Sequence, residues 1–248
     1  MPDLSARMAQ YRESLLQRKG QLALTPPAAW ADVTTSFTQM LPTASSTVLC
    51  VGPGSGEECV TLVGLGHDVW AVEILDESPL LEAAAKKHGF DVRLGVHMEE
   101  LPFPDDSFDI VFAHHVLEHS MMPLVALAEW NRVLTVGGLL AVGVPPPHVT
   151  AVSLHICNFS APMLAYMMAV AGFSLAPEDH RFQELQYDLR FVTRKVSRPF
   201  ESLYLDDLQE RFPPGAFAAP GQLLDVWTVE GREGCGLPPI NGGEDVSA

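Results

Sequence analysis

The chain has 248 residues, enough for one α/β domain with extensions and a sizeable core. Its 15 lysines and arginines face 31 aspartates and glutamates, a formal net charge of −16, which argues against a surface that binds nucleic acid, because such binding depends on neutralising phosphates. Four cysteines without a C-x-x-C pair, a charged start and the lack of a run of roughly 20 apolar residues predict a reduced, cytoplasmic protein that binds no membrane.

We divide the chain into three parts. Residues 1–44 are expected to form an N-terminal helical extension, because apolar residues recur at helical spacing over 3–19 and a second short helix is predicted over 30–41. Residues 45–199 form the predicted core domain. Residues 200–248 form a C-terminal extension that contains glycine, proline and acidic residues, and we expect its last part to be disordered.

The core domain begins with a short apolar run, Val48 to Val51, which is long enough for a buried strand and too short for a helix. The sequence G-P-G-S-G follows directly, with glycines at positions 52, 54 and 56. Glycine has no Cβ, so the main chain can take positive φ and a ligand can lie directly against it. The helix that should follow points its free N–H groups into the same space. The sequence therefore predicts a loop that holds a cofactor.

The spacing of this loop narrows the choice of cofactor. It matches neither the dinucleotide pattern G-x-G-x-x-G nor the phosphate-binding loop, which needs a Lys followed by Ser or Thr. Glu57 and Glu58 follow the loop, and two carboxylates there would repel a pyrophosphate but suit a ligand with positive groups. S-adenosylmethionine, with a sulfonium and an ammonium group, is such a ligand.

The second predicted strand, Val69 to Ile74, carries Glu73 near its C-terminal end, where an acid can accept both hydroxyls of a ribose. Strands and helices then alternate, which predicts a doubly wound parallel sheet with helices on both faces. Two final strands, joined by a short connection, should add an antiparallel pair. The further strands are predicted over 91–94, 108–113, 138–144, 173–182 and 186–196, and the helices over 55–65, 77–88, 122–134 and 162–171.

Two further motifs lie between these elements. Leu101 to Asp109 reads L-P-F-P-D-D-S-F-D, and His115 to His119 reads H-V-L-E-H. Together with the glycine loop and Glu73, they resemble the class I S-adenosylmethionine-dependent methyltransferases, in particular the branch that acts on small molecules. The resemblance covers about residues 45–196. It implies a Rossmann-like methyltransferase fold, whose seven-stranded, mostly parallel sheet has an antiparallel last strand.

The resemblance also implies roles for single residues. It places the loop glycines on the methionine part of the cofactor, Glu73 on the ribose, Ile74 beside the adenine, and the residues after the fourth strand near the methyl group. The implied cofactor contacts are Gly52, Pro53, Gly54, Gly56, Glu73, Ile74, His97, Met98 and His114. The family usually has an acid at the position of Cys50 and commonly an Asp–Ala pair at the position of His97 and Met98.

Histidines dominate the segments that should rim the cleft, and histidine is suited to remove a proton from an acceptor. His155 lies in H-I-C-N-F-S, which looks like the H-x-x-x-F-S/T segment of sugar and quinone methyltransferases. We take His155 as the first candidate for a base or substrate contact and His115 as the second. The histidines of these segments are His114, His115, His119, His148 and His155.

Two other functions are consistent with the same residues. His115 to His119 matches H-x-x-E-H, the metal-binding helix of inverted zinc peptidases, but here the motif follows a buried strand and precedes Pro123. We therefore expect no metal site. The fold could also bind the cofactor without transferring a methyl group. A small hydroxylated acceptor, such as a sugar or a secondary-metabolite scaffold, is preferred, and a homodimer is one possible assembly.

Overall fold

The structure is a computed structural model that describes residues 35–148, 152, 154–219 and 221–234. The helix predicted over 3–19, the first part (30–34) of the one predicted over 30–41, and the last part of the C-terminal extension lie outside these residues. Within the described part of the chain, residues 35–38 are helical. No helix there has both the length and the apolar character needed to cross a bilayer.

The first half of the core is a parallel sheet. Its central strand is β1 (Thr47–Val51), which ends at the glycine loop. This strand pairs with β2 (Asp68–Glu73) on one side and with β4 (Phe108–His114) on the other. The parallel strands lie in the order β3-β2-β1-β4-β5. Their bounds are Thr47–Val51 for β1, Asp68–Glu73 for β2, Asp91–Leu94 for β3, Phe108–His114 for β4 and Leu134–Val144 for β5.

Three strands complete the far edge: β6 (Phe173–Ser174), β7 (His180–Leu185) and β8 (Asp188–Lys195). Strand β8 runs antiparallel to β5, and β6 and β7 both pair with β8. If β6 and β7 are counted as one interrupted strand, the order 3-2-1-4-5-7-6 with an antiparallel last strand confirms the predicted fold.

The prediction of one continuous strand over 173–182 is wrong, because two strands, β6 and β7, lie there. The strand is interrupted after Ser174, where the carbonyl of Ala176 accepts hydrogen bonds from the N–H groups of Asp179 (2.9 Å) and His180 (3.2 Å). Pro177 lies in this turn and has no N–H to offer to the strand ladder, so the pairing with β8 stops and resumes at His180.

Helices cover both faces of the sheet, as the alternation of strands and helices predicted. Ser160 caps α4 (Ala161–Val170), since its Oγ accepts from the N–H of Met163 at 3.4 Å. Trp130 on α3 is fully buried against one face, and Leu62 on α1 against the other. The helices are α1 (Glu57–Gly64), α2 (Pro79–His88), α3 (Pro123–Val133) and α4 (Ala161–Val170), and 3-10 turns cover Leu117–His119 and Leu205–Arg211.

The described part of the C-terminal extension packs on the last strands. It contains β9 (Phe217–Ala219), β10 (Gln222–Leu223) and α5 (Val229–Gly234). Trp227 is buried, lies edge-on to Phe191 of β8, and donates from Nε1 to His180 Nε2 at 3.3 Å. The three-part division of the chain stays a prediction.

A buried ion pair joins β8 to the rest of the fold. Asp188 and Arg190 are on the same face of β8, are 1% and 0% exposed, and lie 2.8 Å apart between Oδ2 and Nη2. The other carboxylate oxygen of Asp188 contacts His114 Nε2 at 3.1 Å and His115 Nε2 at 2.5 Å. Arg190 also donates to Ser36 Oγ at 2.8 Å, so the N-terminal segment closes over the pair.

The charges of this network can be assigned from its geometry. His114 faces carboxylates at both ring nitrogens, with Glu58 Oε1 3.3 Å from Nδ1, so both nitrogens donate and the ring is cationic. Burial lowers the pKa of His114, but the hydrogen bonds to Asp188 and Glu58 outweigh it and raise the pKa above its ordinary value. Burial opposes ionisation of Asp188, yet the two imidazoles hold its pKa well below the usual range.

We expect Asp188→Asn to destabilise the fold by about 3–5 kcal/mol at neutral pH, because it leaves the buried Arg190 charge without its partner. Since the pKa of Asp188 is lower in the folded chain than in the unfolded chain, its contribution is complete above roughly pH 4 and is lost as the pH falls below that value. Urea unfolding measured from pH 7 to pH 3 should therefore show a difference between the two proteins that narrows with acid.

The matched control is Asp179→Asn, which removes a half-exposed pair with Arg194 and should cost no more than about 1 kcal/mol. A difference between Asp188→Asn and the parent that stays constant over this pH range would contradict the assigned ionisation.

Candidate cofactor cleft and histidine cluster

A cleft lies at the carboxyl ends of the parallel strands, the edge where ligands bind in doubly wound sheets. It encloses about 540 Å³ of space, including its open mouth. Its walls come from the ends of β1 and β2, from the segment after β3, and from the turn after β4. The lining residues are Val51, Gly52, Val72, Glu73, Ile74, Val96, Met98, Val116, His119 and Leu154.

The three glycines of the loop all have positive φ, but an added Cβ would meet different surroundings at each. A Cβ on Gly52 would lie 2.6 Å from Val116 Cγ2, and one on Gly56 would lie 2.8 Å from Leu81 Cδ1, so these two glycines allow close packing inside the protein. A Cβ on Gly54 would meet no atom within 4 Å, although its φ is +59°. Of the three, Gly54 alone faces open space, and Gly52 alone lines the cleft.

Glu73 is the charged group of the cleft wall. It ends β2 as predicted, is 1% exposed, and accepts the N–H of Ile74 through Oε1 at 2.9 Å. The main chain on either side is fixed, because Val72 accepts from Gly52 N at 2.8 Å and Glu73 accepts from Val96 N at 3.0 Å. The carboxylate of Glu73 is thus held in place between the glycine loop and the segment that follows β3.

Two of the residues predicted to contact the adenine line the cleft, and a third does not. Ile74 and Met98 line the cleft, and the carbonyl of Met98 accepts from Trp130 Nε1 at 3.1 Å, which fixes this segment to α3. His97 does not line the cleft, and its carbonyl pairs with the N–H of Glu100 at 3.2 Å.

Pro53 and His114 lie in a second, smaller recess of about 160 Å³ behind the glycine loop. Cys50 and Glu58 line the same recess. Glu58 Oε1 lies 3.3 Å from Nδ1 of His114. His114 itself is buried and belongs to the Asp188 network, so the structure places it below the main cleft and not on its wall.

The candidate bases, His115 and His155, converge on Glu118, which is 1% exposed. His115 Nδ1 lies 3.5 Å from Glu118 Oε1 while its Nε2 contacts Asp188, and His155 Nε2 lies 4.0 Å from the same oxygen of Glu118. Burial lowers the pKa of His115, and burial together with the charges of neighbouring histidines lowers the pKa of His155 to about 4. Both rings are therefore neutral near pH 7.

The H-x-x-E-H segment is not a long helix. His115 has a positive φ of 52°, and only Leu117–His119 form a 3-10 turn. His115 and His119 therefore do not stand one above the other on a helical face, as the zinc peptidase motif requires. Instead, Glu118 and His119 are grouped with His155, which follows them by more than 30 residues.

Sequence reasoning missed three residues of this region. Val116 and Leu154 line the cleft and Asp188 organises the histidines, but none was singled out. A signal for Asp188 exists, because an acid two positions before an arginine in a predicted strand places both charges on one face of the sheet. Val116 and Leu154 carry no such signal, since apolar residues are common in any loop that packs.

The sequence of residues 49–142 matches a family described as a methyltransferase domain. Among relatives, the O-methyltransferase cnsE of Penicillium expansum is 28% identical over 182 residues, which are 71% of this chain and 59% of that protein. The 27-O-demethylrifamycin SV methyltransferase of Amycolatopsis mediterranei is 34% identical over 119 residues, 44% of this chain and 43% of that protein.

Among solved structures, the 1,6-didemethyltoxoflavin-N1-methyltransferase of Burkholderia thailandensis has the same fold. The TM-score is 0.64 at 22% identity, over 79% of this chain and 92% of that one, and that structure contains 1,6-didemethyltoxoflavin and S-adenosylhomocysteine. The chain spans about half the length of the curated relatives it matches, between 44% and 59% for three of them. The match of residues 49–142 to a methyltransferase domain agrees with the resemblance to class I S-adenosylmethionine-dependent methyltransferases that the sequence motifs indicated.

Proposed function

We propose that this protein transfers a methyl group from S-adenosylmethionine to an oxygen or nitrogen atom of a small molecule. The observation that carries the proposal is the cleft itself, in which Gly52 of the positive-φ glycine loop and the buried carboxylate of Glu73 line one space at the carboxyl edge of the sheet.

The residues of the cleft fit the parts of this cofactor. Glu73 can accept hydrogen bonds from ribose hydroxyls, which is a charge-assisted contact. The apolar side chains of Ile74, Val96 and Met98 form a wall for a flat, weakly polar ring. Gly54 leaves free space beside the loop for the methionine part. Pro53, Gly56, His97 and His114 were predicted as contacts too, and they stay predictions.

When bound, the cofactor supplies a methyl group on a positively charged sulfur, ready for in-line displacement by a nucleophile. The protein contributes position, which can account for roughly 7–11 kcal/mol of a barrier, and a wall that excludes water. An acceptor hydroxyl or amine must also lose a proton. His155 and His115 stay the predicted acceptors of that proton, and as neutral rings they can take one up.

The class of acceptor is inferred from three observations. The acidic composition disfavours nucleic acid. Glu73 and His119 are the polar side chains among the residues that line the cleft. The names of the relatives describe an O-methyltransferase, an enzyme acting on a rifamycin and one acting on a toxoflavin precursor. We infer a small hydroxylated or nitrogenous acceptor for this chain.

Two measurements test the function. Isothermal titration calorimetry should show S-adenosylhomocysteine binding at one site per chain. Incubation with S-adenosylmethionine and a panel of hydroxylated and amine-containing small molecules should then release S-adenosylhomocysteine with at least one acceptor. Absence of nucleoside binding would overturn the proposal, whereas binding without turnover on any acceptor would favour a protein that holds the cofactor without transfer.

Glu73→Gln should weaken S-adenosylhomocysteine binding by roughly 10- to 100-fold, because hydrogen bonds to a charged group contribute about 1.5–3 kcal/mol. The amide can still accept from Ile74 N, so the strand end keeps its local geometry. Calorimetry measures the affinity. Glu82→Gln, at an exposed position of α2, is the matched control and should bind like the parent. Equal affinities for both variants would place the ribose elsewhere.

Gly54→Val should abolish S-adenosylhomocysteine binding without unfolding the sheet, because the new side chain occupies the open space beside the loop. Valine also strains the backbone at positive φ. Gly66→Val controls for that strain, since Gly66 has a φ of +92° and no atom within 4 Å of an added Cβ. Thermal unfolding should drop similarly in both variants, and binding should be lost only in Gly54→Val. Retained binding would mean that the ligand lies away from this loop.

A further inference from the structure

His114 lies behind the glycine loop, between two carboxylates that belong to different elements of the fold. Its Nδ1 is 3.3 Å from Glu58 Oε1, and its Nε2 is 3.1 Å from Asp188 Oδ1. Glu58 is in the first turn of α1, directly after the loop, while Asp188 begins β8. The side chain of His114 is 1% exposed. One buried ring therefore joins the helix that follows the loop to the far side of the sheet.

Other side chains enclose this ring. The ring of Phe37 lies edge-on to that of His114 with centroids 5.2 Å apart, and the ring of Phe112 lies edge-on at 6.4 Å. A Cβ on Gly143 would lie 2.6 Å from His114 Cδ2, so glycine at this position leaves room for the imidazole. The ring therefore cannot turn either nitrogen away from its carboxylate without moving these neighbours.

The charged and titratable groups around His114 come from four elements of the fold. Burial raises the pKa of the Cys50 thiol and lowers the pKa of His115, so both groups are neutral near pH 7. Arg190 pairs with the second oxygen of Asp188 at 2.8 Å, which leaves the contact with Glu58 to the imidazolium. The groups are Cys50 on β1, Glu58 on α1, His115 on β4, and Asp188 and Arg190 on β8.

The contact between Glu58 and His114 depends on the second proton of the ring. Both nitrogens of an imidazolium donate, whereas a neutral ring donates from one nitrogen only and directs a lone pair from the other. A carboxylate that faces a lone pair is repelled. The side chain of Glu58 is 15% exposed and that of Asp188 is 1% exposed, so Glu58 is the partner that can turn toward water. Loss of the proton therefore releases Glu58.

The glycine loop is held at both ends. At its start, the N–H of Gly52 donates to the carbonyl of Val72 on β2 at 2.8 Å. At its end, the N–H of Gly56 donates to the carbonyl of Pro53 at 2.9 Å, and Gly56 directly precedes the turn of α1 that carries Glu58. Pro53 and Glu58 line the same recess. The end of the loop therefore follows any movement of this turn.

We propose that His114 is a positioning residue for the cofactor. Its imidazolium holds the first turn of α1, and with it the glycine loop, in the conformation that binds S-adenosylmethionine. The affinity for the cofactor then falls as the pH rises and His114 loses its proton. This role rests on the proposed function, but it requires no contact between His114 and the cofactor, because the ring acts through Glu58.

The direction of the pH dependence follows from the surroundings of the ring. Burial lowers the pKa of His114, but its two carboxylate partners raise it above the ordinary value of about 6.5. The contribution of the imidazolium is therefore complete below about pH 6.5 and is lost as the pH rises through the pKa of the folded chain. This is opposite in sign to the contribution of Asp188, which is lost in acid.

The first test compares two neighbouring acids of α1. Glu58→Gln removes the carboxylate that faces His114, and Glu57→Gln removes an equal charge from the same turn at an exposed position. NMR titration of the histidine Cε1–H signals, with the signal of His114 identified by its absence in His114→Gln, gives the pKa of this ring in each protein. We expect a clear fall of that pKa in Glu58→Gln and a much smaller change in Glu57→Gln.

The second test is calorimetric titration with S-adenosylhomocysteine from pH 6 to pH 8. The affinity of the parent should fall over this range. His114→Gln and Glu58→Gln should bind roughly tenfold more weakly than the parent at pH 6, because a hydrogen bond between charged groups is lost, and should weaken little further toward pH 8. Glu57→Gln shows the effect of a lost charge alone, and its affinity should keep the pH dependence of the parent.

A pH dependence of the parent that persists in both His114→Gln and Glu58→Gln would refute the role of His114, as would an affinity of the parent that is equal at pH 6 and pH 8. If the parent binds no S-adenosylhomocysteine at any pH, the proposed function fails, and the positioning of the loop is then measured without a ligand. Hydrogen exchange at Gly56 N–H should show a lower protection factor in Glu58→Gln than in Glu57→Gln. Equal protection factors would contradict the positioning role.

Discussion

The carboxylate of Asp188 is the contact on which the functional edge of this protein depends. It is buried, it neutralises Arg190 within β8, and it accepts hydrogen bonds from two consecutive histidines at the end of β4. Strand β8 pairs with β5 and not with β4. The carboxylate of Asp188 therefore links β8 to β4, two strands that share no main-chain hydrogen bonds. Because His115 is held from below by Asp188, the turn that follows it presents Val116, Glu118 and His119 toward the cleft and the cluster beside it.

Three carboxylates are buried along this edge, and each is compensated in a different way. Asp188 has an arginine and a cationic histidine as permanent partners. Glu73 accepts a main-chain N–H and lines the cleft, so it can also accept polar groups of a ligand. Glu118 lies among three imidazoles, with its Oε1 3.5 Å from His115 Nδ1, 3.9 Å from His119 Nε2 and 4.0 Å from His155 Nε2. Buried carboxylates with such different surroundings are placed along one edge of the sheet, the edge that also forms the cleft.

Local patterns in the sequence were sufficient for the sheet, the glycine loop and Glu73, because strand length, glycine spacing and the position of an acid at a strand end depend on neighbouring residues. They failed where distant residues decide. Asp188 lies 74 positions from His114, and Glu118 meets His155 only because main-chain bonds join two loops. The H-x-x-E-H spacing suggested a helix, but a positive φ at His115 ended that possibility. The break in the edge strand does have a local signal, Pro177, because proline cannot donate to the hydrogen bonds between strands.

The hydrogen bond from Arg190 to Ser36 joins residues 154 positions apart, and it closes the cover over the Asp188 network. During synthesis the chain is made from its N-terminal end, so Ser36 is present long before Arg190. Strands β1 to β5 are complete once residue 144 has been made, but the histidines of β4 then lack their acid until the hairpin of β7 and β8 follows. The functional edge is thus the last part of the core to form, and a nascent or truncated chain that ends before residue 188 has a sheet without a finished site.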